Sequence, residues 1–215
     1  MGKKSLKSLR AIGFDVDGTL YYSPPEMSGL IGRELIAEAA RRLGKKSDDI
    51  AEEYLERREK YRSNTETLKS FGLPGEEIFQ KLWNTLPLGR YVKRDERLIR
   101  LVKRLGARYR LFIVSNGRDV EVIRKLKMLG LTKEDFDPFV PCYNHGWAKP
   151  EPAPFLFALQ ELGMKPSEVV YVGDREDVDI EGAKSVGLRT VYVGGESAVA
   201  DTSVETIYDV EEVFL

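Results

Sequence analysis

Two aspartates stand two positions apart in FDVDGTL, residues 14–20, directly after the apolar run AIGF. Carboxylates where a strand runs out, followed by a glycine turn and the Thr19 hydroxyl, can converge on one point beyond the strand end. The same string also fits a plain acidic turn, in which Asp and Gly are common. What separates the two readings is that later segments repeat the arrangement. SNG, residues 115–117, follows RLFIV and can offer the Ser115 hydroxyl, the Asn116 amide and the unobstructed backbone of Gly117 to phosphate oxygens, although these residues populate ordinary loops too. Lys149, in WAKP, stands just before a helical pattern at 151–162. It is either a compact cation able to neutralise phosphate or a solvated surface charge. VGDREDVDIEGA, residues 172–183, sets Asp174 right after VVYV, with Glu176, Asp177 and Asp179 beyond it. Acids in a first helical turn often only offset the helix dipole, which accounts for Glu176 and leaves Asp177 open. Asp174 has the same strand-end placement as Asp15, so the pair can share a hard cation. Magnesium suits such a place, because it takes oxygen ligands and keeps several waters, so that two or three protein oxygens are enough.

The elements that must position these residues are legible in the hydrophobic pattern. Short β-rich runs at 11–14, 110–114, 139–142, 169–172 and 189–193 alternate with helical patterns at 95–105, 118–129, 151–162 and 176–186, each ending near glycine. That alternation predicts βαβ units and an α/β fold, a Rossmann-like doubly wound parallel sheet. Residues 21–90 break the rhythm with helical patterns at 28–44, 48–62 and 75–86 and no convincing strand. They read as an inserted helical unit between Pro24-Pro25 and Pro87-Gly89, so the core is expected at 1–20 and 91–215 and the insertion at 21–90. Ligands of open parallel sheets bind beyond the carboxyl ends of the strands, and an insertion leaving after the first strand is expected over that crevice.

Taken together, the four segments resemble the motifs of the haloacid dehalogenase superfamily, in order and each at a strand end. The likeness spans the core from residue 11 to the region of residue 195. The helical insertion stands where that superfamily carries a first-position cap, as in phosphoglycolate phosphatase-like or pyrimidine 5′-nucleotidase-like members. The resemblance implies a magnesium-dependent phosphatase acting through an aspartyl-phosphate. In it Asp15 would be nucleophile and metal ligand. Asp17 would be general acid and then general base, its backbone carbonyl on the metal. Thr19 would steady that acid–base residue and belong with Ser115, Asn116, Gly117 and Lys149 to the phosphate-binding set. Lys149 would also neutralise charge on the nucleophile, Asp174 would ligate the metal, and Asp179 would support the cluster from behind. Val178 stands where the family commonly has Asn, which leaves Asp177 as a rival to Asp179. Dehalogenases lack the second acid of the first motif, so the presence of Asp17 points to phosphate transfer. A phosphosugar mutase with the same nucleophile, or a non-catalytic binder of phosphorylated ligands, are the alternatives.

Composition excludes other classes. Lys+Arg 34 against Asp+Glu 35 gives no basic excess of the kind that non-specific nucleic-acid binding requires. The single cysteine, Cys142, can form neither an intramolecular disulfide nor a zinc site, which suits a reducing compartment. The basic opening MGKKSLKSLR leads into an apolar stretch too short for a signal peptide, and no run approaches membrane-spanning length. The expectation is therefore a cytoplasmic protein whose partner is a small phosphorylated metabolite, of unspecified oligomeric state. Tyr21 and Tyr22 either close over the site or pack a hinge. The run EYLERREKYR, 53–62, reads as a solvated helix face with Ile50, Tyr54 and Tyr61 inward, or as a set of cations for an anionic substrate. His145 and Trp147 either touch substrate or pack their loop.

Overall fold

The computed structural model describes residues 8–215; the start of the basic opening, residues 1–7, lies outside the described residues. The chain divides into two compact units, one running through Tyr22 and again from Val92 to Leu215, the other Ser23–Tyr91.

The first unit is built on six strands: β1 Ala11–Phe14, β2 Arg110–Ser115, β3 Phe139–Pro141, β4 Val169–Gly173, β5 Arg189–Val193 and β6 Thr202–Val204. They form one parallel sheet in the order β3-β2-β1-β4-β5-β6. Every residue of β1 and β4 is buried, as expected of strands covered on both faces, and both read as unbroken apolar runs rather than alternating ones. The sixth strand escapes the sequence pattern. TSV is three residues long and half-buried at the sheet edge, too short and too polar to carry a strand signature.

The second unit holds four helices: α1 Pro25–Leu43, α2 Ser47–Tyr61, α3 Asn64–Ser70 and α4 Gly75–Thr85. Their shared core includes Leu35, Ile50, Tyr54, Leu68 and Ile78, with Tyr54 stacked on Phe71 at 6.1 Å. Ile50 and Tyr54 point inward as expected, but Tyr61 ends α2 and is 41% exposed. The cations of this stretch have structural partners. Arg57 lies 4.0 Å over the Phe71 ring and donates to the Ser70 carbonyl, and Arg58 Nε donates to Asn64 Oδ1 at 2.9 Å. The sequence gives no sign of α3, since NTETLKS is polar and short. Ser63 caps it, accepting from the Glu66 N–H at 3.4 Å, and burial of Thr65, Thr67 and Leu68 holds it.

Around the sheet lie α5 Glu96–Gly106, α6 Asp119–Leu129, α7 Ala153–Leu162, α8 Glu181–Ser185 and α9 Val210–Phe214. Asp95 starts α5 by accepting from the Arg97 and Leu98 amides, both at 2.9 Å. The buried stripe of α6 carries Val122, Leu126 and Leu129 at helical spacing, and Lys125 stands in the same stripe, 2% exposed. The pattern at 176–186 resolves into two pieces, a π-helical turn Glu176–Ile180 followed by α8. The Arg175 carbonyl accepts from the amides of Asp179 at 2.8 Å and Ile180 at 3.2 Å, and the widened turn leaves the Asp179 side chain 1% exposed.

Gly13 marks the tightest point of the sheet. It pairs with Phe112, and a Cβ at position 13 would lie 2.2 Å from the buried Phe112 ring. Gly13→Ala is expected to destabilise the protein by about 1–3 kcal/mol through overpacking. Urea unfolding checks this, and an unchanged midpoint would show that the ring can move aside.

Candidate active site

The strand order reverses between β1 and β4, so the chain segments leaving these neighbours open a crevice at the carboxyl edge of the sheet. Phe14 pairs with Val172, and the Asp15 N–H extends the ladder by donating to the Val172 carbonyl at 3.0 Å. Asp15 and Asp174 are thereby carried out of the sheet side by side. Ser115, the last residue of β2, is buried on the other flank of β1.

Lys149 stands at the centre. Its ammonium, 1% exposed, donates to Asp15 Oδ1 at 2.8 Å, Asp179 Oδ1 at 2.6 Å and the Tyr171 hydroxyl at 3.0 Å. Three donors meet three acceptors, which is what a buried ammonium requires. Burial alone would push its pKa down, but Asp15 and Asp179 outweigh that and hold it well above the ordinary lysine value. Its backbone is clamped as well, since Asn116 Oδ1 accepts from the Lys149 N–H at 2.7 Å while Asn116 Nδ2 donates to the Lys149 carbonyl at 3.0 Å. The Asn116 amide is thus turned to the lysine loop, and the Gly117 N–H donates to the Ser115 carbonyl at 2.9 Å.

Ligand atoms of Asp15, Asp174 and Asp179 lie within 4.8 Å of one another, a grouping that could hold a metal ion. Burial raises Asp15 to about 6, with Asp179 and Asp17 adding to the rise and Lys149 opposing it. Burial raises Asp174 to about 8, again with Asp15 and Asp179 adding. The protein alone does not balance this charge, and a hard cation would, so the donor set fits a divalent metal. Thr19 Oγ1 donates to Asp174 Oδ1 at 3.1 Å, so it steadies this acid rather than Asp17. Asp179 serves two donors, Lys149 and the Arg175 N–H at 3.1 Å, whereas Asp177 pairs with Arg175 at 3.2 Å in a partly exposed bridge. Asp179 is therefore the acid turned to the cluster.

Asp17 faces elsewhere. Its Oδ1 accepts from the Tyr21 hydroxyl and its Oδ2 from Lys125 Nζ at 2.5 Å. Tyr21 is buried, and burial followed by the Asp17 charge pushes its hydroxyl well above the usual tyrosine range; Tyr22 is 76% exposed. The sequence reading missed Lys125 and Tyr171. Lys125 left one signal, a charge on an apolar helical stripe, while Tyr171 sits unmarked inside VVYV, from which its hydroxyl donates to the Val114 carbonyl at 2.5 Å and receives Lys149. Trp147 packs its own loop, stacked on His145 at 4.6 Å and tilted against Phe157 at 5.4 Å. No helix among the described residues is long and apolar enough to cross a membrane.

A family profile described as haloacid dehalogenase-like hydrolase matches residues 9–187. Over 86% of this chain and 84% of the relative, the sequence is 31% identical to the glyceraldehyde 3-phosphate phosphatase of Methanopyrus kandleri. It is 26% identical to the phosphoglycolate phosphatase of Pectobacterium atrosepticum, over 86% of this chain and 80% of that one. Among solved structures, a phosphatase from Thermococcus onnurineus superposes with a TM-score of 0.70 and 28% identity, covering 95% of this chain and 97% of that one.

Gly18 makes the approach of the two acidic loops feasible. Its φ is +86°, and a Cβ there would lie 2.1 Å from Asp174 Oδ2. Gly18→Ala is expected to displace the Asp174 carboxylate and weaken divalent-cation binding roughly tenfold or more. Titration calorimetry with a divalent cation measures this; equal affinity in the variant would show that the turn does not set the carboxylate.

Proposed function

Because the chain belongs to the haloacid dehalogenase-like hydrolases, we propose that it is a magnesium-dependent phosphatase of small phosphorylated metabolites, with Asp15 as nucleophile. The observation that carries this reading is the buried Lys149 that holds Asp15 beside Asp174 at the reversal of strand order. Relatives named for glyceraldehyde 3-phosphate and phosphoglycolate support phosphate monoesters as the substrates, and small phosphorylated metabolites as the class.

The proposed chemistry runs in two steps. A carboxylate oxygen of Asp15 attacks phosphorus while the bond to the ester oxygen breaks, and that oxygen takes a proton from Asp17. Water then attacks phosphorus in the aspartyl-phosphate, gives its proton to Asp17, and releases inorganic phosphate with Asp15 restored. Lys149 fixes the nucleophile and offsets its charge, and the Ser115 hydroxyl, at the end of the neighbouring strand, is a donor to phosphoryl oxygens. Asn116 contributes by clamping the lysine loop, and Thr19 by holding Asp174. The carboxylates of Asp15 and Asp174, with the Asp17 carbonyl, would hold magnesium, while Asp179 anchors Lys149 beside them. When bound, the ion supplies positive charge to the phosphoryl oxygens.

Phosphate release from a panel of monoesters, with and without magnesium, tests the proposal. Asp15→Asn should abolish turnover while leaving thermal unfolding within a few degrees of the parent, and an active variant would remove the nucleophile assignment. An isomerised sugar phosphate in place of free phosphate would mean a mutase. Magnesium should raise the melting temperature of the parent protein by mass action, and that rise should vanish in Asp174→Ala. A rise of equal size in the variant would place the ion elsewhere.

A further inference from the structure

We propose that Lys125, together with Tyr21, is a positioning residue for the Asp17 carboxyl, so that a side chain on α6 sets the aim of the acid–base group. This rests on the phosphatase reading above.

A lysine at this place is costly. Lys125 is 2% exposed on the stripe of α6 that otherwise buries Val122, Leu126 and Leu129. Lysine is almost never fully buried without a partner, and an apolar residue would serve packing better. Lys125 lies near the buried Glu121 carboxyl on its own helix, and it also reaches a partner 108 residues away in the chain: Asp17 Oδ2, at 2.5 Å. Tyr21, four residues beyond Asp17 and also buried, takes the other oxygen. Both carboxyl oxygens are thus tethered, by groups from separate parts of the chain.

The tethering matters because of where Asp17 sits. Its side chain is 35% exposed, against 10% for Asp15. Asp15 is fixed by the buried lysine and the sheet, but a carboxyl open to water on one side would sample several rotamers unless held. A group that must deliver a proton to one ester oxygen has to stay within hydrogen-bond reach of it, and small misplacements cost rate steeply. Lys125 and Tyr21 restrict Asp17 through its two carboxyl oxygens, whereas its place in the proposed metal set is through the backbone carbonyl. They act through Asp17 and not on substrate.

Leaving-group dependence separates this role from a structural one. Alkyl phosphates need the leaving oxygen protonated, whereas 4-nitrophenyl phosphate departs as a stable anion and needs little help. Lys125→Met keeps the side-chain length and removes the tether. It should lower kcat/KM for an alkyl phosphate by roughly 10- to 100-fold, a share of what general acid catalysis contributes. The loss for 4-nitrophenyl phosphate should be several-fold smaller, with the magnesium-induced rise in melting temperature retained. Tyr21→Phe, which removes only a hydroxyl, should show the same ordering with smaller losses and serves if Lys125→Met does not fold. Equal losses on both esters, unchanged activity, or faster turnover in the folded variants would overturn the proposal. Asp15→Asn assayed in parallel keeps the two ideas apart. If that variant is inactive and the Lys125 and Tyr21 variants treat both esters alike, only the positioning role falls; if it is active, the phosphatase mechanism falls and takes the positioning role with it.

Discussion

A single buried ammonium organises the site. Lys149 spends its three hydrogen bonds on Asp15, Asp179 and Tyr171, and no solvent reaches it to replace any of them. Around it three carboxylates crowd together, and at an effective dielectric constant near 20 two unit negative charges 4.8 Å apart repel by about 3.5 kcal/mol. One lysine cannot neutralise three acids. Burial first, and the neighbouring carboxylates after it, push Asp15 and Asp174 above the ordinary aspartate value, so both acids sit where they resist ionising. A divalent cation beside Asp15 and Asp174 would offset the crowded negative charge.

The sheet supplies the convergence and local geometry makes it tolerable. Register alone puts the ends of β1 and β4 at the spacing of neighbouring strands, about 4.8 Å. Such closeness leaves no room for ordinary side chains between the two loops. Gly18, left-handed, clears the space between them, and Gly173, where a Cβ would fall 2.3 Å from that of Asp179, makes room within the second loop. The π-helical turn after β4 does the rest, since a regular helix beginning at Glu176 would not direct Asp179 back to Lys149 while its other oxygen caps the Arg175 N–H.

Much of this was legible in the sequence because it follows from periodicity and strand-end chemistry. Strands β1 to β5, the helical character of the inserted segment, and the shared strand-end placement of Asp15 and Asp174 come from signals that survive in one dimension, whereas the choice of Asp179 over Asp177 needed the fold. What did not survive depends on the third. Residues 202–204 become a strand only because β5 offers an open edge, and α3 forms only because its threonines and Leu68 find a core. The family resemblance implied that Thr19 steadies Asp17, yet its hydroxyl donates to Asp174 across the turn at Gly18. Lys125 was visible only as a misplaced charge, and its partner lies in another element that no local pattern names.

The first two acids show how placement assigns roles to identical side chains. In a continuing strand, residues 15 and 17 would project to the same face and share one environment. Here the chain turns after Asp17, with the Leu20 N–H donating to the Val16 carbonyl at 3.0 Å, and the two diverge. Asp15 enters a buried cluster whose donor is Lys149, where burial raises its pKa to about 6. Asp17 keeps one edge in water and rests between a tyrosine and a lysine, outside the grouping that Asp15, Asp174 and Asp179 form. Exchanging these surroundings would exchange the aptitudes of the two carboxyls. Two residues of backbone therefore separate a carboxyl held in a buried cluster from one left partly in water, and the separation is made by the elements that each one meets after the strand ends.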